Sequence, residues 1–301
     1  MEASRITPGM IGVIAALDAI AVEVTAVLEA AEIPALLLKG ASIGRWLYDS
    51  VGERVYDDVD LLVRQSHLAH AERTLRREAF RFVHDDDHGQ VWQRGPVNID
   101  LHRRLTGAKA PPDQVFDRLL ADSEWLELPR GRVRVLSPAA RTLTLVLHAA
   151  QHGSTWESPL RDLRRALELL PRETFAEAAA LAGQIGAARA FAAGLEVVPE
   201  GATLRAELGL DPDPDTEGQD LDPPVTEGLR RLRSTRGARA KGALILREAF
   251  PTRAYLRTHV PVARRGTLGL WFARVVRPFL LLVRLGPALV AARRSGRREP
   301  F

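Results

Sequence analysis

The segment Tyr56-Asp57-Asp58-Val59-Asp60-Leu61-Leu62-Val63 restricts the fold more than any other stretch of the chain. Val59, Leu61 and Val63 alternate with Asp58, Asp60 and Leu62, which is the period of a strand, so Asp58 and Asp60 must project from the same face. Two anions side by side on an apolar strand repel one another and resist desolvation unless a divalent cation or several donors compensate them. The chain contains no cysteine, which excludes a thiolate nucleophile, a disulfide framework and a thiolate-held metal. A cation at this strand must therefore sit on oxygen or imidazole, and oxygen ligation points to Mg²⁺ or Mn²⁺.

The surroundings of this strand are informative in order. Ile11, Ile14, Leu17, Val22, Val27 and Leu28 fall near helical spacing and predict a helix over 10–30. Leu36-Leu37-Leu38 reads as a short buried strand that ends at Lys39-Gly40, and a short helix is expected from Ser42 to Tyr48. The turn brings a glycine, the Ser42 hydroxyl and a helix start together, a combination suited to holding phosphates through backbone N–H groups. After Asp60, Ser66 is the expected N-cap of a helix to about Glu78, giving a βαβα-like opening. Three strands are expected at 80–83, 90–93 and 97–101, and the third carries Asp100 and leads into His102. A hairpin is expected over 125–135, and Ser137-Pro138 opens helical segments at 138–152, 159–170, 173–194 and 225–250, with Asp211–Pro224 as a linker.

Taken together, Leu38-Lys39-Gly40, Asp58-Val59-Asp60-Leu61-Leu62-Val63, Ile99-Asp100-Leu101-His102, and Leu136-Ser137-Pro138 with Leu147-His148-Ala149-Ala150-Gln151-His152 resemble the bacterial uncharacterised nucleotidyltransferase family of the DNA polymerase β-like superfamily. The resemblance spans residues 30–170 and continues weakly through Phe250–Arg257. One departure is that the superfamily's Gly-Ser pair stands here as Gly40-Ala41-Ser42. The resemblance implies an α+β fold, a mixed sheet with helices followed by a helical domain, and transfer of a nucleoside monophosphate, AMP from ATP, with release of pyrophosphate. On that reading Asp58 and Asp60 hold two ions and Asp100 completes one ion site and accepts the proton of the acceptor. Lys39, Gly40, Ser42 and Arg54 hold the triphosphate, and His102, His148, His152 and Asp162 line the substrate cleft. The acceptor is expected to be a small molecule or peptide, as in natural-product biosynthesis. A tRNA or a protein acceptor, as in toxin-like relatives, and a non-catalytic nucleotide-binding scaffold are the alternatives.

The net charge of +4 conceals an uneven distribution. Residues 230–301 hold 18 Lys and Arg against 2 acids, leaving 24 against 36 in the rest of the chain. Such a basic tail either docks on the acidic body or meets a polyanion such as nucleic acid. Trp271, Phe272, Val275, Val276 and Phe279 interleave with Arg274 and Arg277, an amphipathic pattern rather than a spanning one. Near the N-terminus Asp18 and Glu23 interrupt the apolar run, which predicts an amphipathic helix, no transmembrane segment and a cytoplasmic protein. The expected organisation is a nucleotidyltransferase catalytic domain with its N-terminal helix over 1–136 and a helical domain with a basic C-terminal tail over 137–301. The expected core includes Leu37, Leu61, Val63, Ile99, Leu101, Leu145 and Leu147.

Overall fold

A computed structural model describes residues 8–85, 87–153, 156–210, 262, 266–272 and 274–276. The chain divides into two compact units, Met1–Pro214 and Asp215–Phe301. In the second, residues 266–272 and 274–276 are helical, with Leu268, Trp271, Phe272 and Val275 exposed. The linker Asp211–Pro224 and the helix expected over 225–250 lie outside the described residues.

In the first unit the elements run α1 (Pro8–Ala30), β1 (Ala35–Leu37), α2 (Ala41–Leu47), β2 (Asp58–Val63), a 3₁₀ turn (Gln65–His67), α3 (Leu68–Arg77), β3 (Arg81–Asp85), β4 (Gly89–Arg94) and β5 (Val97–His102). They continue as α4 (Pro112–Ala121), β6 (Glu124–Leu128), β7 (Gly131–Val135), α5 (Pro138–His152), α6 (Glu157–Leu169), α7 (Arg172–Gln184), α8 (Ala188–Leu195) and α9 (Pro199–Glu207). Among the described residues the strands make one seven-stranded mixed sheet in the order β3-β4-β5-β2-β1-β7-β6. β2 runs parallel to β5 and β1 parallel to β7, while the other pairings are antiparallel. The opening therefore departs from a βαβ unit: although α2 separates them, β1 and β2 are antiparallel, Leu37 opposite Leu61. The long connection of residues 48–57 lets the chain reverse.

Alternation along β2 divides the interior in two. Val59, Leu61 and Val63 join Ile99, Leu101 and the buried side of α1 and α3 in one cluster. Leu62, with Leu36 and Leu38, joins α2, α4 and the helices from α5 onward in the other. All seven expected core residues are buried. The carboxylates of β2 share the parity of Leu62, so they belong to the sheet face that carries α5.

Several local expectations are corrected. Ser66 lies inside the 3₁₀ turn rather than capping α3, and its N–H meets Asp113 Oδ1 at 3.3 Å. The single helix expected over 173–194 is two, α7 and α8, divided at Gly186, whose φ of 69° ends a helix easily because glycine has no Cβ penalty there. Ser137 does cap α5, accepting the Ala140 N–H at 3.4 Å. By length and composition Gly9–Ala30 of α1, at mean hydropathy 2.2, is long and apolar enough to cross a membrane, a test that the core helix of a globular protein also passes. Here Leu17, Ala21, Val24 and Leu28 pack against the sheet, and Asp18 is held inside by Arg45 and Tyr56.

Candidate active site

β2 and β5 run in parallel register with Asp60 opposite Asp100 and Leu62 opposite His102. Paired residues of neighbouring strands point to the same face, so Asp58, Asp60, Asp100 and His102 converge on one patch. Asp60, Asp100 and His102 each offer a ligand atom within 4.8 Å of the others. The backbone brings Lys39 to the same place. The Leu38 N–H donates to the Asp60 carbonyl at 3.0 Å, prolonging the β1–β2 ladder by one residue, and Lys39 Nζ then reaches Asp60 Oδ1 at 2.8 Å. His102 Nε2 lies 2.9 Å from the same oxygen.

The electrostatics separate the two carboxylates of β2. Burial disfavours the charge of Asp60, but Lys39 and His102 outweigh that cost and hold its carboxyl below the usual carboxylate range. Burial together with the charges of Asp60 and Asp100 drives Asp58 well above that range, and Lys39 offsets only part of the effect. Lys39 itself stays a firm cation: burial opposes its charge, yet Asp60, Asp58 and Asp100 raise its pKa. The patch thus sets three carboxyl groups beside one lysine, and Asp58 is the harder of the β2 pair to ionise. A set of oxygen donors with one imidazole, including a carboxyl whose ionisation burial and its neighbours oppose, fits a hard divalent cation.

The Lys39–Ser42 turn is braced from two sides. Gly40 has φ 59° and ψ −121°, so the backbone calls for glycine, and the Tyr56 ring lies against it, where a Cβ would stand 3.4 Å from Cδ2. Tyr56 Oη donates to Asp18 Oδ1 at 2.5 Å and Arg45 Nη2 to Asp18 Oδ2 at 2.6 Å. On the other side Arg54 Nε donates to Asp162 Oδ2 at 2.8 Å and its Nη1 to the Gly40 carbonyl at 3.4 Å. Tyr48 Oη donates to Asp162 Oδ1 at 2.6 Å, and burial with that carboxylate pushes the phenol up to about 12. Arg165 Nε donates to the Leu47 carbonyl at 2.7 Å, fastening α6 to the end of α2.

These contacts place the expected site residues. Lys39, Asp58, Asp60, Asp100 and His102 come together. Arg54 and Asp162 are buried and engage each other, and Arg54 also reaches the Gly40 carbonyl. Ser42 is buried at the start of α2, its N–H donates to the Lys39 carbonyl at 3.1 Å, and its Oγ has no hydrogen-bond partner among the described residues. His148 lies close enough to Lys39 and Asp60 to feel both charges; burial first, then Lys39 and His152, lower its pKa well below the ordinary imidazole value. His152 is lowered by burial and Lys39. Asp18, Arg45, Tyr48 and Tyr56 were absent from the sequence reading of the site. The signal for Asp18 was an acid in the middle of an apolar helix.

Residues 14–200 match the protein family described as uncharacterised nucleotidyltransferase. The chain belongs to that family. It is accordingly a nucleotidyltransferase. No curated protein sequence matches it. Solved structures of similar fold include the antibiotic-resistance factor ANT(2'')-Ia, at 19% identity and TM-score 0.40 over 56% of this chain and 91% of that one. An antigenic nucleotidyltransferase-like protein from Paracoccidioides brasiliensis aligns at 16% identity and TM-score 0.37, over 62% and 94%. A tRNA nucleotidyltransferase complexed with a primer tRNA and an incoming ATP analog aligns at 14% identity and TM-score 0.25, over 92% and 87%. The family match covers every element from within the first third of α1 to the start of α9, and with them the whole patch around Asp60.

Proposed function

We propose that this nucleotidyltransferase moves AMP from ATP to a hydroxyl of a small molecule or peptide in the cytoplasm, with Mg²⁺ or Mn²⁺ as cofactor. The observation that carries the reading is the convergence of Asp60, Asp100 and His102 beside Lys39, with Asp58 on the same face of β2. Asp58, Asp60 and Asp100 would hold two divalent ions, which when bound stabilise the attacking and leaving oxygens of an in-line displacement. The acceptor oxygen forms its bond to the α-phosphorus as the bond to the bridging oxygen of the pyrophosphate breaks, and the negative charge leaves with pyrophosphate. Asp100 is the base that takes the acceptor's proton. Lys39, held by Asp60 at the edge of the patch, supplies a fixed positive charge toward the triphosphate. His102 orients the Asp60 carboxylate. Arg54 and Asp162 keep the Gly40 turn in place from behind, a positioning role. The catalytic module is residues 1–136, and α5 and α6 supply the wall that faces it.

The test is ATP labelled at either the α- or the γ-phosphate, incubated with Mg²⁺ and a small-molecule extract. Incorporation of the α-label, with pyrophosphate released and both lost by at least about a hundred-fold in Asp60→Asn, is expected. Transfer of the γ-label alone overturns the reading. The basic stretch 230–301 favours a second reading with a tRNA acceptor, and a gel shift with tRNA that weakens steeply with salt is its mark.

A further inference from the structure

His148, His152 and Trp156 form a ladder of rings between α5 and the start of α6. His148 and His152 stand four residues apart on α5 and therefore on one face. Their rings meet edge to face at 4.7 Å between centroids, and the His152 ring stacks on the Trp156 indole at 4.7 Å and 29°. The inner end of the ladder lies beside the site, because α5 covers the sheet face that carries Asp58, Asp60 and Asp100. Burial first, and then the charge of Lys39, lower the pKa of both imidazoles, which agrees with that placement. The outer end is open: Trp156 is 59% exposed, although an indole is the side chain that gains most from burial. Trp156 is also the residue immediately before α6 and makes no side-chain cap bond to it, so capping does not account for its presence.

A line of flat rings that runs from the sheet face carrying Asp60 and its partner Lys39 out to solvent is matched to a ligand with an anionic end and a planar aromatic end. Resting on the nucleotide reading given above, we infer that the Trp156–His152 pair is the stacking platform for the nucleobase of the nucleoside triphosphate whose phosphates Lys39 faces. Stacking of this kind tolerates any base, since each has a π-face, and adds affinity without hydrogen-bond selection. The platform therefore predicts binding of purine nucleotides over pyrimidine ones by ring area rather than by edge pattern.

The experiment uses the full chain with Mg²⁺ and two probes, α,β-methylene-ATP and inorganic tripolyphosphate, with no acceptor present. Trp156→Ala is expected to weaken the ATP analogue about ten-fold and to abolish the part of the tryptophan quenching that the analogue causes, whereas Trp156→Phe stays within about three-fold of wild type. Tripolyphosphate, which has no ring, is expected to bind all three proteins alike. Equal affinity of wild type and Trp156→Ala for the analogue overturns the platform, including the case in which the ladder serves a ring on the acceptor. Equal losses for both probes overturn it too, because they report a disturbed fold. Failure of the wild-type chain to bind either probe removes the nucleotide reading itself, and the platform with it.

Discussion

Asp58 and Asp60 leave one face of one strand and yet hold protons in opposite ways, because Lys39 and His102 both serve Asp60. Asp58 has its folded pKa above its unfolded one. Its contribution to stability is thus present below the unfolded value near 3.8 and lost as pH rises through the folded value. At neutral pH the metal-free patch is a cost, and Asp58→Asn is expected to raise metal-free stability by about 1 kcal/mol, a few degrees in thermal midpoint, while abolishing turnover. Asp60 has the opposite sign: its stabilisation is present above the unfolded pKa and lost as pH falls through the folded one. Lys39→Met leaves that buried carboxylate without its main partner and is expected to cost about 3 kcal/mol by urea unfolding. The Asp-x-Asp pair was legible in the sequence because strand alternation alone puts both acids on one face. The Asp18–Tyr56 and Arg54–Asp162 pairs were not, since partners 38 and 108 residues apart are joined only by the tertiary fold.

At the level of elements, the turn between β1 and α2 is held by networks reaching back to α1 and forward to α6. Asp162→Ala strands the buried Arg54 charge and frees Tyr48, and is expected to destabilise by about 3–5 kcal/mol. Replacing both partners by apolar residues, Arg54→Met with Asp162→Leu, removes the charge together with its counter-charge and is expected to cost far less in the same denaturant titration. If the turn positions Lys39, the double variant still loses affinity for tripolyphosphate although it stays folded. The strands and the hairpin were readable from alternation and from Pro129-Arg130-Gly131. α4 was hidden because Pro111-Pro112 reads as loop, whereas Pro112 sits in the first turn, where its missing N–H costs nothing. α7 and α8 merged in the reading because both are rich in alanine, and only Gly183 and Gly186 marked the break.

At the scale of the whole first unit, one sheet carries two interiors, and each is testable on its own. Leu61→Ala, on the α1 and α3 side, and Leu147→Ala, on the α5 side, are each expected to cost about 2–5 kcal/mol in the denaturant midpoint. The two losses add if the faces are independent. The protein's response to acid combines opposing terms. Buried His148, whose folded pKa lies well below 6.5, contributes stability above that value and loses it as pH falls, while Asp58, with its pKa raised, acts in the opposite sense. His148→Asn is therefore expected to flatten the decline of stability between pH 6.5 and 5, by no more than about 1.4 kcal/mol per pH unit, the limit for one proton. The measurement that bears most directly on the account is Mn²⁺ binding followed by electron paramagnetic resonance, with and without the ATP analogue. Wild type is predicted to bind the ion and to bind it more tightly with the nucleotide, while folded Asp60→Asn and Asp100→Asn lose it. Mn²⁺ bound equally by all three proteins would contradict the placement of the metal centre on β2 and β5.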